Sequence, residues 1–206
     1  MSNNAFILIH KYALQLAEMD GYLPGSCKVM VNLNGRIYET EDGCDFGNLQ
    51  PKDISIVSGA TGSAYPVEHN LLRNEEEMKA VVLSKTPYCK RIGDFGGDLV
   101  AAVDDMAQIV GPKVYCVAYD GKEMTRALHK AAGCFVRGQY TVTLGRNLYE
   151  AVTALQVLEK AAEIDTKAET IGGIKPIPLW EAKFMRHHYQ KKYSKAEHAV
   201  KSAEGR

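Results

Sequence analysis

The sequence has no excess of charge of either sign, and this balance excludes several kinds of partner. Lysine and arginine together number 25, as do aspartate and glutamate, so the formal net charge is zero. Proteins that bind nucleic acids or anionic membrane surfaces usually carry a basic excess. We therefore expect no nucleic-acid partner and no membrane partner. Because a neutral chain has little electrostatic repulsion between copies, we expect self-association.

Paired cysteines, long apolar runs and a recognisable signal peptide are also lacking. None of the five cysteines belongs to a CxxC pair, and no apolar run approaches membrane-spanning length. Met1–Asn4 carries no basic side chain, and the apolar run Ala5–Ile9 is short for a signal peptide. These features favour free thiols, a reducing environment and a cytoplasmic location.

Glycine-rich phosphate loops are absent, so a nucleotide-binding fold is not indicated. No G-x-G-x-x-G turn follows the first predicted strand, and no Walker-type loop occurs. What the sequence does contain is short strands alternating with helices. Asn34-Gly35 between the alternating runs Lys28–Leu33 and Arg36–Thr40 predicts a β-hairpin. The whole pattern predicts a single α/β domain over residues 1–206, with a mixed sheet covered by helices on both faces.

Further elements follow from apolar periodicity and from turn residues. The predicted helices are an N-terminal helix that ends at Asp20-Gly21, Val67–Met78, a helix after Pro87, Leu99–Val110, Lys122–Ala132 and Leu148–Lys167. The further predicted strands are Ile54–Val57, Ala80–Leu83, Val114–Ala118, Cys134–Arg137 and Thr141–Leu144.

The stretch Ala80–Tyr88 is the first candidate for a site. A buried strand that ends in polar residues at a turn is where α/β proteins place ligand chemistry. The polar residues here are Ser84, Lys85 and Thr86, before Pro87. Residues 80–90 contain no histidine and no carboxylate.

Four segments in order resemble the class II aldolase/adducin family, which includes fuculose-phosphate aldolase and ribulose-phosphate 4-epimerase. Ile37–Val57 resembles the family's I-T-P-S-G-x-D…L-x-P-x-D-I-V segment, and Ser63–Pro66 resembles S-S-E-W-P. Ala80–Tyr88 resembles A-V-V-H-T-H-S-P-Y, and Cys134–Ile164 resembles the segment that begins L-L-x-R-N-H-G. The resemblance implies a three-layer fold with a largely antiparallel sheet, a tetramer with sites at subunit boundaries, and zinc-dependent cleavage of sugar phosphates.

The resemblance does not carry the zinc site over to this chain. The family's zinc-binding histidines match Leu83, Lys85 and Gln139, and its acid/base glutamate matches Ala64. Leucine has no donor atom, a charged lysine has no lone pair, and an amide is a poor zinc ligand. We therefore expect no family-type zinc site and no metal or other cofactor.

The family's phosphate-binding segments are altered as well. Gly25–Lys28 matches G-N-x-S, and Thr40–Gly43 matches T-P-S-G with carboxylates at Glu41 and Asp42. Acidic groups repel phosphate, although Lys28 and Ser63 could still donate hydrogen bonds. The expected ligand pocket consists of Ser26, Lys28, Asp42, Gly43, Ser63, Ala64, Leu83 and Gln139.

Three residues keep chemical alternatives open. Lys85 could form a Schiff base with a carbonyl substrate, or it could pair with a carboxylate such as Asp42. Tyr119 matches a family tyrosine that donates a proton, although a tyrosine at a strand end is more often structural. His69, next to Glu68, could recruit a metal, or the pair could be a surface helix feature.

Together these features predict a non-catalytic protein with an aldolase fold that binds a ligand or assembles with other subunits. The expected partners are further copies in a homotetramer, or an active paralogue in a hetero-oligomer. A small carbonyl or sugar-like ligand is also expected. The tail from about 176 to 206 is predicted to pack on a neighbouring subunit. The alternative is a diverged aldehyde-lyase or epimerase that uses other metal ligands or Lys85.

Overall fold

The computed structural model of the protein describes residues 3–57, 65–74 and 79–204. The α-helices in these ranges are Asn3–Ala17 (α1), Pro66–Asn74 (α2), Pro87–Phe95 (α3), Gly121–Leu128 (α4), Leu148–Glu169 (α5) and Leu179–Glu204 (α6). The strands in these ranges are Cys27–Leu33 (β1), Arg36–Thr40 (β2), Ile54–Ile56 (β3), Ala80–Ser84 (β4), Leu99–Val100 (β5), Lys113–Val114 (β6), Cys116–Val117 (β7), Gly133–Val136 (β8) and Tyr140–Gly145 (β9). Short 3-10 turns cover Phe46–Asn48 and Pro51–Asp53, and Met106–Val110 is a π-helical segment.

Seven strands form one sheet in the order β3-β2-β1-β4-β9-β8-β7. Every neighbouring pair in it is antiparallel except β7 and β8, which run parallel. The predicted mixed, largely antiparallel sheet is therefore confirmed. Strands β5 and β6 form a separate antiparallel pair.

The hairpin between β1 and β2 has the backbone that its sequence requires. Asn34 and Gly35 both have positive φ, at 53° and 80°. A two-residue turn of this kind matches the right-handed twist of the flanking strands. The side-chain oxygen of Asn32 also accepts a hydrogen bond from the Gly35 amide at 3.0 Å. This turn fixes which side chains of β1 face each layer of helices.

Helices cover both faces of the sheet, which confirms the three-layer arrangement. Helices α1 and α5 pack on the face that carries Val29, Val31 and Val82. Helices α2 and α4 pack on the opposite face, where Met30, Val81 and Leu83 lie. Successive strand residues point to opposite faces, so each strand contributes to both cores.

The helix predicted over Leu99–Val110 is wrong. Leu99 and Val100 instead pair with Val114 and Lys113, and helical structure begins only at Asp104, with π geometry over Met106–Val110. The apolar residues of this segment lie in one core with α3, α5 and α6, so their burial does not require helical spacing. Strand pairing with a segment farther along the chain overrides the local pattern.

The C-terminal helix begins by packing on its own domain. Ala182 is buried, and Arg186 Nη1 donates to the backbone oxygen of Gln108 at 2.8 Å and also to that of Ile109. Leu179, Trp180 and Phe184 remain exposed on the same helix. Among the described residues, no helix is both long and apolar enough to cross a membrane.

Candidate functional site

One end of the central sheet gathers most of the predicted pocket residues. In the ladder, Lys28 of β1 is paired with Leu83 of β4, and Leu83 is paired with Val142 of β9. The Lys85 amide continues this ladder by donating to the Ser26 oxygen at 2.8 Å. The structure therefore places Ser26, Lys28, Leu83 and Lys85 at the same end of the central strands.

The two loops predicted to bind phosphate also lie side by side. The Gly25 amide donates to the Cys44 oxygen at 3.1 Å. Gly25 and Gly43 both have φ of 77°, and a Cβ on Gly25 would lie 3.1 Å from the Gly43 Cα. Glycine is needed at Gly25 because a side chain would collide with the neighbouring loop. The loop pairing carries Asp42 toward Lys28.

The Lys28 ammonium is already saturated by groups of the protein itself. It donates to the Thr40 oxygen at 2.5 Å and lies 3.1 Å from Asp42 and 3.9 Å from Glu39. It also lies 5.1 Å from the centroid of the Tyr65 ring, as in a cation–π contact. Only 8% of its side chain is exposed. Lys28 thus has little capacity left to bind an added anion.

The alternative pairing of Lys85 with Asp42 is wrong, because Asp42 pairs with Lys28. The Tyr65 hydroxyl also donates to Asp42 at 2.9 Å. Lys85 is exposed, and in the described part of the chain its ammonium lies within ion-pair distance of no carboxylate. Lys85 is therefore an exposed lysine at the rim of the site.

His69 adjoins the same group of side chains. Its Nε2 atom lies 2.8 Å from a Glu39 oxygen, and the residue is buried on α2. We call Lys28, Glu39, Asp42 and His69 the Lys28 network. Because Nε2 already has a partner, a metal bound by this atom would have to break the contact with Glu39.

A second set of polar residues adjoins the Lys28 network and centres on Glu68. Glu68 is fully buried in the first turn of α2, and its Oε1 accepts a hydrogen bond from the Tyr140 hydroxyl at 2.8 Å. Its Oε2 is buried and has no hydrogen-bond partner within the described residues. Burial raises the pKa of the Glu68 carboxyl, and the hydrogen bond from Tyr140 opposes that shift only in part.

Three tyrosines surround this carboxyl group. The rings of Tyr65 and Tyr140 are 6.2 Å apart and those of Tyr119 and Tyr140 are 6.5 Å apart, both in edge-to-face orientation. Burial, followed by the charge of Glu68, raises the pKa of the Tyr140 and Tyr119 hydroxyls. We call Tyr65, Glu68, Tyr119 and Tyr140 the tyrosine–carboxylate cluster. At neutral pH its phenols are protonated and act as hydrogen-bond donors.

The positions that match the family's zinc ligands in sequence hold Leu83, Lys85 and Gln139. Leu83 is buried in an apolar cluster beside Tyr140, and Gln139 is exposed in the turn before β9. Across the described residues, no three histidines, cysteines or carboxylates are grouped to hold a metal ion. The donor set of Leu83, Lys85 and Gln139 does not fit zinc. The predicted pocket residues Ser63 and Ala64 lie outside the described residues.

The interpretation of Glu68 and His69 as a surface helix feature is wrong, because both residues are buried, and the sequence carried a signal for the burial of Glu68. Glu68 precedes Leu71 and Leu72 by three and four residues, a spacing that places all three on one helix face. Since both leucines are buried, the same face of α2 turns Glu68 toward the sheet. Tyr140 offered no comparable signal, because the partner of its hydroxyl is 72 residues away in sequence.

The other face of the same sheet end carries a separate network that stabilises the turn after β4. Glu159 of α5 is buried and accepts hydrogen bonds from the Thr86 hydroxyl at 2.7 Å and from the Tyr88 and Cys89 amides at 2.9 Å. Its carboxylate thereby binds the free amides at the start of α3. This contact holds the turn that contains Lys85.

Comparison with known proteins agrees with this architecture. A family model, class II aldolase and adducin N-terminal domain, matches residues 6–166. A 5-deoxy-D-ribulose 1-phosphate aldolase from Bacillus thuringiensis serovar kurstaki is 21% identical over 170 residues, which cover 75% of this chain and 79% of that protein.

Solved structures of aldolases share the fold. An L-fuculose 1-phosphate aldolase aligns with a TM-score of 0.78 at 18% identity, covering 92% of this chain and 98% of the other. The L-fuculose-1-phosphate aldolase from Thermus thermophilus aligns with a TM-score of 0.68 at 17% identity, covering 84% of this chain and 98% of the other. At these identities the likeness establishes the fold, while the chemistry has to be argued from the residues of the site.

Proposed function

Since the chain belongs to the class II aldolase and adducin family, we propose that it is a non-catalytic member, which binds a ligand or assembles with other subunits. The observation that carries this proposal is the donor set at the end of β4. Leu83 is buried among apolar side chains, and neither Lys85 nor Gln139 supplies a good zinc ligand. The relatives are named as aldolases, and the likeness to them supports the fold.

Lewis-acid cleavage of a sugar phosphate needs two things that these residues do not provide. One is a metal held by nitrogen, sulfur or carboxylate donors, and the other is free cationic or amide donors for the phosphate. Lys28 is the buried cation of the site, and Asp42 and Glu39 already neutralise it. The residues present therefore favour binding over family-type catalysis.

The exposed face of α6 supports assembly with further subunits. Trp180 and Phe184 are 73% and 61% exposed, and their spacing of four residues places them on one helix face next to Leu179. Large aromatic side chains exposed together are typical of interfaces. We propose that a neighbouring subunit covers this face, in a homotetramer or in a hetero-oligomer with an active paralogue.

The second candidate function is a metal-free aldehyde-lyase or epimerase in which Lys85 forms a Schiff base. The observation in its favour is that Lys85 lies at the rim beside Ser26, whose backbone oxygen accepts a hydrogen bond from the Lys85 amide at 2.8 Å. Schiff-base lysines are usually desolvated, however, and Lys85 is exposed to solvent. For this reason we place binding or assembly first.

One preparation tests both candidates. We expect the purified full chain, incubated with excess zinc and then dialysed, to retain no stoichiometric zinc in elemental analysis. We also expect it to release no dihydroxyacetone phosphate from L-fuculose 1-phosphate. Stoichiometric zinc together with cleavage would overturn the proposal.

Borohydride trapping with a small aldehyde separates the second candidate from the first. An adduct that is lost in Lys85→Ala but kept in Lys90→Ala would establish the Schiff-base enzyme. Lys90 is the matched control because it is also partly exposed and lies five residues farther along the chain. Trapping that is equal in the two variants reports only surface lysines and would exclude Lys85 chemistry.

A further inference from the structure

The tyrosine–carboxylate cluster contains a buried acceptor atom to which none of the described residues donates a hydrogen bond. Glu68 is fully buried, and while its Oε1 accepts from Tyr140, its Oε2 has no partner among the described residues. A buried polar atom without a partner is costly, and such atoms in proteins call for an explanation. A hydroxyl group of a ligand is a donor that would satisfy this oxygen.

The charges of the neighbouring Lys28 network disfavour an anionic ligand. An anion such as a phosphate ester would meet the carboxylates of Asp42 and Glu39, with only one ammonium, already paired, to attract it. The Lys28 ammonium already occupies the face of the Tyr65 ring, so this ring has no free face to offer a ligand cation. A neutral ligand is not repelled by the carboxylates.

The aromatic rings supply the apolar part of such a site. Tyr65, Tyr119 and Tyr140 form a continuous series of edge-to-face contacts beside Glu68, and Tyr119 is 36% exposed. Small-molecule sites combine aromatic walls with a few placed polar groups, and aromatic faces pack against the C–H faces of polyols. Tyr119 gives the cluster its contact with solvent.

From these three observations we infer that the site binds a neutral polyhydroxylated ligand, an unphosphorylated sugar or polyol, with a ligand hydroxyl donating to Glu68 Oε2. The inference rests on the proposed function, because it assumes that no zinc occupies this end of the sheet. It differs from the activity in the relatives' names, which specify phosphorylated sugars.

Calorimetric titration of the zinc-free full chain with a matched pair of ligands tests the inference. The probes are L-fuculose and L-fuculose 1-phosphate, which differ only in the phosphate group. We expect the neutral sugar to bind at least about tenfold more tightly than its phosphate ester. Tighter binding of the ester, or no binding of L-fuculose or xylitol at about 10 mM, would overturn the inference.

Two variants report on the residues responsible. Glu68→Gln keeps the shape of the side chain but replaces one acceptor oxygen with a donor, so sugar binding should weaken about tenfold or more. Asp42→Ser removes an exposed carboxylate beside Lys28 and should strengthen binding of the phosphate ester by a similar factor. Glu169→Gln, an exposed change at the end of α5, should alter neither affinity.

The outcomes separate this inference from the proposed function. Zinc-free protein that binds neither sugar, or that binds L-fuculose equally well after Glu68→Gln, refutes only the inference about the ligand. Protein that holds zinc and prefers the phosphate ester refutes both. Circular dichroism shows whether Glu68→Gln folds. If it does not, the affinity of Asp42→Ser for L-fuculose 1-phosphate tests the inference instead. An affinity equal to that of the wild type would contradict the proposed role of the charges.

Discussion

The Lys28 ammonium lies 3.1 Å from the Asp42 carboxylate, and this pair closes the loop that the sequence marked as a phosphate site. Both residues were expected to face a ligand, but they face each other. Lys28 is buried and also bonds to the Thr40 oxygen, whereas Asp42 is 62% exposed. The lysine therefore contributes to the stability of the site and contributes little free charge for recognition.

Removal of the ammonium should destabilise the fold. Lys28→Met leaves the Thr40 oxygen without its partner and Glu39 without its cation, so we expect the free energy of unfolding to fall by about 1 to 3 kcal/mol in urea titrations. Lys90→Met removes an exposed lysine that pairs with Asp94 and should cost about 0.5 kcal/mol or less. Equal effects of the two variants would show that the Lys28 network is not stabilising.

Glu68 should make stability depend on pH in a defined direction. Burial raises the pKa of this carboxyl above its ordinary value of 4.5. The folded protein then holds the proton more tightly than the unfolded chain, so this group lowers stability as pH rises from 4.5 through the folded pKa. Glu68→Gln removes the titration, and its stability relative to wild type should rise over that interval and stay constant below it.

Glu163 provides a control, because its effect on stability should change with pH in the opposite direction. Hydrogen bonds from Lys160 and Lys167 lower the pKa of Glu163 to about 2. Glu163→Gln should therefore be less stable than wild type above pH 4.5, and the difference should vanish as pH falls toward 2. Thermal unfolding between about pH 3 and about pH 8 measures the stability of both variants. Identical pH profiles for the two variants would contradict the assignment of Glu68.

The central sheet could be predicted from the sequence because its signals are local. Asn34-Gly35 specifies a turn that needs positive φ, and the alternation on either side specifies the two strands that it joins. The helix predicted over Leu99–Val110 is wrong because strand pairing with Val114 depends on a contact that no local pattern reveals. The order of the seven strands was not predicted, because neither the periodicity nor the resemblance specified it.

The sequence predicted where the site residues lie in the fold, but it did not predict which contacts they make. The resemblance located Lys28, Asp42 and Leu83, and the structure places them at one end of the sheet. The sequence did not indicate that Lys28 pairs with Asp42, because that contact depends on how the two loops approach at Gly25. Nor did it indicate that Glu68 is buried beneath tyrosines from distant segments.

The exposed face of α6 should determine the assembly state. Replacement of Trp180 and Phe184 by alanine removes the largest apolar side chains of that face, so we expect a smaller particle in sedimentation velocity than for wild type. Leu23→Ala changes a residue that is 60% exposed in a loop and should leave the size unchanged. If the double variant keeps the wild-type size, the proposed role of the tail in assembly is wrong.

The cysteines should react in two groups. All five are free, and Cys27, Cys89 and Cys134 are buried while Cys44 and Cys116 are only partly so. Burial raises the pKa of every one of these thiols. At about pH 8, which is close to the pKa of an ordinary thiol, a disulfide reagent should label Cys44 and Cys116 slowly in the folded protein. In denaturant the same reagent should label all five cysteines. Rapid labelling of a third thiol in the folded protein would contradict the described burial.

Substitution of Glu159, on the other face of the sheet, should strongly reduce stability, because this carboxylate accepts hydrogen bonds from three donors at the start of α3. Glu159→Gln places an amide NH2 against the Tyr88 and Cys89 amides or the Thr86 hydroxyl, so we expect about 1 to 3 kcal/mol of lost stability in urea unfolding. Glu169→Gln, on the same helix but 64% exposed, is the matched control and should change stability far less. Hydrogen exchange should also quicken at the Tyr88 and Cys89 amides, because these are the groups that the carboxylate covers. A stable Glu159→Gln variant with unchanged exchange would show that the turn after β4 is held by apolar packing alone.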